Sequence, residues 1–266
     1  MPPTLSVCIA NYNHGRFLER CLGAVMAQER RPDEVIVYDD ASTDNSLIIL
    51  EELQKRWPEL RVERGVVNRG VVEAYNTVAN MASGDWLHLA GADDVVLPGF
   101  YRLALREIEE YPKAGATFGG FIGVEEDTGE RWMENASQWL DPGYFSSRDM
   151  IWKLFNKAPA LFGTGFTYIF KRRFFLEEGG FISELKMYDE LIFRVIAAKY
   201  GAIYLGPAPL CCVRSSFSTF SGQARKNRSI YAEVLLNHAG PLMRTRYGNL
   251  FPRRFIDHWE KKWLKI

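Results

Sequence analysis

S-G-D-W-L-H-L-A-G-A-D-D-V-V-L-P, residues 83–98, is the stretch from which the fold can be read. Trp86 to Ala90 is a short apolar run of the kind that forms a strand buried on both faces. It empties into a loop carrying Asp93 and Asp94 side by side. Adjacent carboxylates repel each other and are costly to desolvate, so a pair placed directly after a buried strand needs a reason. A divalent cation with oxygen ligands is one reason and a solvated turn before a helix is another; the pair alone leaves both open.

Upstream, the same pattern recurs. Leu5 to Ala10 is a nearly continuous apolar run and predicts a buried parallel strand, followed by the polar loop Asn11 to Gly15. Phe17, Leu18, Cys21, Leu22, Val25 and Met26 then return at helical spacing. Glu34 to Tyr38 predicts a second strand ending in Asp39-Asp40, with Ser42 or Thr43 as cap for a helix through Leu47, Leu50, Leu53 and Trp57. Arg61 to Val66 reads as a weaker strand, Asn68-Arg69-Gly70 as a loop, and Val72 to Met81 as a helix leading to strand 86–90. This β-α-β-α-β-α-β alternation predicts an α/β domain whose sheet is mostly parallel, with helices on both faces. In such sheets the loops leaving the carboxyl ends of the strands lie along one edge and bind the ligand. Three of those loops offer side chains suited to a base, a ribose or a metal, and the fourth offers Arg69 to a phosphate. No G-x-G-x-x-G follows the first strand and there is no Walker A loop, which removes the main support for dinucleotide and P-loop readings.

Composition narrows the class. The chain has 266 residues, 47% hydrophobic and 25% charged, the proportions of a soluble globular protein. A formal net charge of zero gives no electrostatic case for nucleic acid as a partner. The apolar runs are far shorter than the ~20 residues that span a bilayer. Met-Pro-Pro-Thr leads directly into a strand, which leaves no room for a secretory leader. Cys8, Cys21, Cys211 and Cys212 have no metal-ligand spacing, and a reducing cytoplasm is the expected setting.

Four segments together carry a resemblance: S-V-C-I-A-N-Y-N-H-G-R-F-L at 6–18, V-I-V-Y-D-D-A-S-T-D-N-S at 35–46, N-R-G at 68–70, and A-S-G-D-W-L-H-L-A-G-A-D-D-V-V-L-P at 82–98. In order and spacing the chain resembles inverting family 2 glycosyltransferases of the GT-A fold, and the likeness resumes at Glu178-Gly179-Gly180-Phe181. The resemblance implies a GT-A domain over 1–220, with a nucleotide-sugar-binding half at 1–98 and an acceptor-binding half at 99–220. A helical extension would follow at 221–266. It further implies donor contacts at Ala10, Tyr12, Asp39, Asp40, Arg69 and Asp93. Tyr12 would stack on the base, Asp39 and Asp40 would hold base or ribose, and Asp93 would coordinate Mn²⁺ or Mg²⁺ against the diphosphate. The chain departs from the pattern where Ala10-Asn11 replaces Pro-Thr and Gly91 replaces the first Asp of D-x-D. The second carboxylate survives as Asp93.

Beyond Pro98 the alternation breaks. A helix is expected over Phe100 to Tyr111, a strand over Ala116 to Val124 with a turn at 126–129, and a further strand over Phe166 to Lys171. Residues 131–165 read as irregular and aromatic, serving either as sugar platforms or as core. An inverting transfer needs a carboxylate to take the acceptor's proton. By resemblance that base opens the helix at 189–199, which points to Asp189, with Glu190 as the alternative. Gly206 to Val213 reads as a last strand, followed by a loop in which Ser stands where relatives often have His. The lysine- and aromatic-rich end, His258 to Ile266, leaves three readings open: an interfacial membrane helix, a homodimer contact or a packed tail.

Taken together, a metal-dependent transfer of sugar from a nucleoside diphosphate donor, UDP favoured, to a saccharide, lipid-linked saccharide or other hydroxyl acceptor is expected, in bacterial surface polysaccharide or glycoconjugate synthesis. A catalytically inactive nucleotide-sugar-binding protein and a sugar-phosphate nucleotidyltransferase are the rivals. The missing Gly-rich basic loop after the first strand counts against the second.

Overall fold

The computed structural model describes residues 2–137, 140–156, 165–185, 190–216 and 233–251, together with 253, 256, 257 and 261. Strands β1 (Leu5–Asn11), β2 (Glu34–Asp39), β3 (Leu60–Arg64) and β4 (Trp86–Gly91) alternate with helices α1 (Gly15–Met26), α2 (Ser46–Arg56) and α3 (Val71–Met81). The remaining strands are β5 (Val95–Val96), β6 (Ala116–Glu125), β7 (Arg131–Glu134), β8 (Gly143–Phe145), β9 (Ile169–Lys171) and β10 (Ala202–Ser215). Helices α4 (Phe100–Glu110), α5 (Ser147–Asn156), α6 (Arg172–Glu177), α7 (Glu190–Tyr200) and α8 (Gly240–Thr245) follow, with short 3-10 turns at Gly165–Thr167 and Ser183–Leu185 and a π-helical stretch at Leu235–Ala239. The strand order is β3-β2-β1-β4-β9-β6-β10-β5, with β7 added to β6 and β8 to β10.

The side chains of β1, β2 and β4 alternate between two cores, as the period of two in a strand requires. Leu5, Val7, Ile9, Val35, Val37 and Trp86 face one side, where Leu18 and Leu22 of α1, Leu50 of α2 and Phe100 of α4 cover them. Cys8, Ile36, Leu87 and Leu89 face the other, under Val78 of α3, Phe175 of α6 and Phe193 and Ile196 of α7. Each fully buried aliphatic of this kind contributes about 1.5–3 kcal/mol. The C-terminal residues Met243, Tyr247, Phe251 and Ile256 pack into that second core, so the described part of the extension belongs to the domain's interior. Among the described residues no helix is long and apolar enough to cross a membrane.

Several expectations need correction. β3-β2-β1-β4 is parallel throughout, but beyond β4 the sheet is mixed, because β9 runs antiparallel to both β4 and β6. Segment 131–156 is not irregular: it holds β7, β8 and α5. β7 is a mostly exposed edge strand and β8 is only three residues long, so neither shows an apolar period. Residues 157–164 lie outside those described. The strand expected over 166–171 begins as a 3-10 turn, Gly165–Thr167, and β10 starts at Ala202, before its expected beginning at Gly206. Helix α2 starts at Ser46, and neither Ser42 nor Thr43 caps it; Asp44 accepts from the Ser46 N–H at 2.9 Å. Ser42 instead ties two loops together at the sheet edge.

Candidate active site

The loops at the carboxyl ends of β1, β2 and β3 meet at one edge, and side-chain hydrogen bonds sew them to each other. Asn11 Nδ2 donates to Asp39 Oδ2 at 2.7 Å and to Ser42 Oγ at 3.2 Å. Asp39 Oδ1 accepts from the Ser42 N–H at 2.9 Å. Asn13, in the left-handed region at φ 56°, accepts from the N–H groups of Thr43 and Asp44, and its own N–H donates to Ser42 Oγ. Asp40 reaches the next loop, taking the Arg69 N–H at 3.0 Å and the Gly70 N–H at 2.8 Å. Both carboxylates are buried, and both accept hydrogen bonds from N–H donors, which offset the cost of burying them.

Around this frame lie exposed groups. Tyr12 is 43% exposed on the loop after β1, and Val66 and Val67 are exposed on the loop after β3. In strand order they stand on either side of the Asp39–Asp40 turn, as apolar faces flanking polar ones. The two valines were missed from sequence, where Val66 read as the end of the weak strand and Val67 was not assigned; surplus apolar residues past that strand were the available signal. Arg69 contributes its backbone to Asp40 while its side chain stays at the exposed surface. Ala10 is half-buried and lies beside Gly91 in the β1–β4 register.

The β4 loop is built differently. Asp94 is buried and its Oδ1 accepts the Arg214 N–H at 2.9 Å, while Oδ2 has no hydrogen-bond partner among the described residues. Burial, reinforced by the charge on Asp93, pushes the Asp94 carboxyl well above the usual carboxylate range. Beneath it lies a small cavity lined by Cys21, His88, Gly91, Asp94, Phe166 and Cys211. His88 Nε2 faces the Phe166 carbonyl and Nδ1 the Tyr101 hydroxyl, each at 2.9 Å, and burial lowers its pKa to about 4. A neutral imidazole donating from Nε2 and accepting at Nδ1 satisfies both contacts.

Asp93 forms an ion pair with Arg214 at 3.2 Å, and the same guanidinium bonds Glu126 and lies 4.2 Å from the Phe17 ring centroid. Arg20 donates to the Asp93 carbonyl at 3.3 Å, and Arg16 pairs with Glu126 at 3.2 Å. A side chain at Gly91 would crowd this loop, since its Cβ would lie 2.6 Å from Asp94 Oδ2 and 3.2 Å from Asp93 Oδ1. Among the described residues no three His, Cys, Asp or Glu side chains come together to hold a metal. The expected ligand Asp93 is instead paired with the Arg214 guanidinium, and with that cation on its carboxylate the described residues around it do not fit a divalent ion.

The Gly-Gly-Phe element docks on α3. Asn76 Nδ2 donates to the Phe181 carbonyl at 2.8 Å and its Oδ1 accepts the Phe181 N–H at 2.9 Å. Gly179 and Gly180 both have positive φ, 88° and 70°, which explains the paired glycines. Downstream, Asp189 lies outside the described residues. Glu190 is the first described residue of α7, Glu190–Tyr200.

A parallel β3-β2-β1-β4 core extended by mixed strands, with its polar loops gathered at the carboxyl edge, is the arrangement of the GT-A fold. Residues 6–177 match the family model described as Glycosyl transferase family 2, and the chain belongs to that family. An uncharacterized protein of Mycobacterium tuberculosis (strain CDC 1551 / Oshkosh) is 25% identical over 82% of this chain and 69% of its own. The glycosyltransferase GlyG of Streptococcus pneumoniae is 26% identical over 48% of this chain, which spans 42% of GlyG. Among solved structures, S. aureus TarS 1-349 in complex with UDP-GlcNAc superposes with a TM-score of 0.72 at 18% identity, over 98% of this chain and 71% of that one. A mannosyltransferase from Pyrobaculum calidifontis in complex with GDP-Man and Mn²⁺ gives 0.65 at 22% identity, over 92% and 65%. At those identities the structural likeness shows the fold.

Proposed function

We propose that the protein transfers a sugar, with inversion, from a nucleoside diphosphate donor to a hydroxyl acceptor. The observation that carries this reading is the cross-linked edge of Asn11, Asp39, Ser42, Asp40 and the Arg69–Gly70 backbone, flanked by exposed Tyr12. Rigid polar groups beside an exposed aromatic suit a base and its ribose, and Ala10 would lie against the same ligand. In the reaction the acceptor oxygen forms a bond to the anomeric carbon as the bond from that carbon to the diphosphate oxygen breaks. The electron pair leaves with the diphosphate and the acceptor's proton passes to a carboxylate. Asp189 is the proposed base, with Glu190, the first described residue of α7, as the alternative, on the strength of the family resemblance. Positioning of donor and acceptor supplies a large part of the rate.

UDP is the favoured nucleotide, supported by the UDP-GlcNAc complex of TarS. The acceptor is proposed as a saccharide, a lipid-linked saccharide or another hydroxyl compound in surface polysaccharide synthesis. Mn²⁺ or Mg²⁺ has support from the Mn²⁺ in the mannosyltransferase complex, but the Asp93–Arg214 pair argues against it and no step is assigned to it. All four cysteines are free thiols, which supports a reducing compartment. The loss of the first D-x-D carboxylate at Gly91 keeps one second reading in play, a donor-binding protein without transfer.

Thermal unfolding with UDP, GDP, CMP and dTDP tests the site. A ligand at ~100 times its dissociation constant adds about 2.7 kcal/mol, which is visible as a shift in midpoint. The matching donor sugar is then supplied with oligosaccharide acceptors, and the anomeric configuration of the product read by NMR. Retention of configuration would exclude the single-displacement mechanism. Binding without transfer or donor hydrolysis would leave the inactive reading.

A further inference from the structure

The pairing of Asp93 with Arg214 is dictated by strand register. In the antiparallel β5–β10 ladder Val96 pairs with Cys211 and Val95 with Cys212. Carrying that ladder outward sets Asp93 opposite Arg214, 121 residues away in sequence. The buried Asp94 carboxyl holds the Arg214 N–H at 2.9 Å and so fixes where the side chain departs. The Phe17 ring supports the guanidinium, and only 8% of the Arg214 side chain is exposed. Its Nε is buried with no hydrogen-bond partner among the described residues. A charge-bearing side chain is thus built into the loop where the family resemblance places a metal.

Two further features agree. Gly91 removes one carboxylate from the loop, and a side chain restored there would press on the Asp94 carboxyl that anchors Arg214. The carboxylates nearest the guanidinium already have partners: Asp93 and Glu126 are paired with Arg214, Glu126 also with Arg16, and Asp127 accepts from the Ser216 hydroxyl at 3.0 Å. A divalent ion placed at Asp93 would meet a guanidinium on the same oxygen. A diphosphate would meet a planar donor fork suited to phosphate oxygens, and Glu126, 40% exposed, is the arm able to give way.

We infer that Arg214, in place of a divalent cation, receives the donor's diphosphate beside Asp93, so that nucleotide binding is cation-independent. This rests on the nucleotide-sugar reading of the site. The leaving diphosphate then departs against a fixed guanidinium charge, with Arg16 and Arg20 nearby.

The test is calorimetric titration of whichever of UDP, GDP and dTDP shifts the midpoint most, in EDTA and in MnCl₂. It uses wild type, Arg214→Gln, Arg214→Lys and Asp93→Asn. The expected result is an affinity unchanged between EDTA and MnCl₂, a loss of about 10- to 100-fold in Arg214→Gln, and a partial loss in Arg214→Lys. Asp93→Asn, which frees the guanidinium, is expected to bind at least as tightly as wild type. A requirement for Mn²⁺ that vanishes in Asp93→Asn while Arg214→Gln still binds would overturn the inference and leave the nucleotide site standing. If no nucleotide binds under any condition, the nucleotide-sugar reading fails and this inference falls with it. The Asp93→Asn/Arg214→Gln double variant removes both charges together; its loss of binding with an unchanged ligand-free unfolding midpoint separates recognition from misfolding.

Discussion

The chain carries two adjacent aspartate pairs at the same sheet edge, Asp39-Asp40 after β2 and Asp93-Asp94 after β4, and they are solved in opposite ways. β1 lies between the two strands, so the pairs stand on either side of it along one edge of the sheet. At the first, each carboxylate is met by N–H donors from neighbouring loops, and the pair acts as the knot that holds three loops together. At the second, one carboxylate is sunk above an apolar-walled cavity with a single N–H donor, and the other is set against a guanidinium. Two carboxylates in sequence therefore say little by themselves. What the fold aims at them decides whether they organise backbone, hold an ion or tune a charge.

The largest effect is expected at the first pair. Asp40→Ala strips the acceptor from the Arg69 and Gly70 N–H groups and should cost about 3 kcal/mol in urea unfolding, with nucleotide binding lost. A cost below about 0.5 kcal/mol, the level of an ordinary surface change, would mean the knot is ornamental. Next, Gly91→Ala brings a methyl against the Asp94 carboxyl and is expected to destabilise by about 2 kcal/mol. The same substitution should weaken nucleotide binding, because it shifts the anchor of Arg214.

Asp94 distinguishes the two pairs by pH. Its carboxyl is raised in the folded protein, so folding favours the protonated form. That contribution is fully present below the unfolded carboxyl pKa and is lost as pH rises through the folded one. Asp94→Asn keeps an oxygen for the Arg214 N–H and cannot ionise. Its stability relative to wild type should therefore climb from pH 4 to pH 8, read from unfolding midpoints at matched ionic strength. A flat difference across that range would show that Asp94 ionises in the fold at no cost. The smallest structural effect belongs to Tyr12→Ala, an exposed position where stability should move by no more than about 0.5 kcal/mol. Nucleotide affinity should nonetheless fall about tenfold, since a stacked base is worth about 1–3 kcal/mol.

Residues 5–91 are legible because β1, β2 and β4 are apolar on both faces and the helices between the strands repeat their apolar positions, so period and chain order agree. β5 is two residues long and carries no period, and β7 lies exposed at an edge, so neither announces itself. The loops of the first pair could be placed from sequence because they follow strands in regular alternation. Arg214 could not: its meeting with Asp93 depends on the β5–β10 register, and no local pattern links residues so far apart. Ser42 misled because a hydroxyl before a helix usually caps it, whereas here it is drawn away by Asn11 and Asn13. The base at Asp189 was read from resemblance and lies outside the described residues.

One thermodynamic cycle addresses the division of labour between the two pairs: the affinities of uridine and of UDP for wild type and Arg214→Gln, measured in EDTA. With the β2 pair organising the nucleoside side and Arg214 receiving phosphate, UDP should bind wild type at least about tenfold more tightly than uridine. In Arg214→Gln that advantage should collapse while uridine binds as before. An equal loss for both ligands, or a diphosphate advantage that survives the substitution, would contradict it.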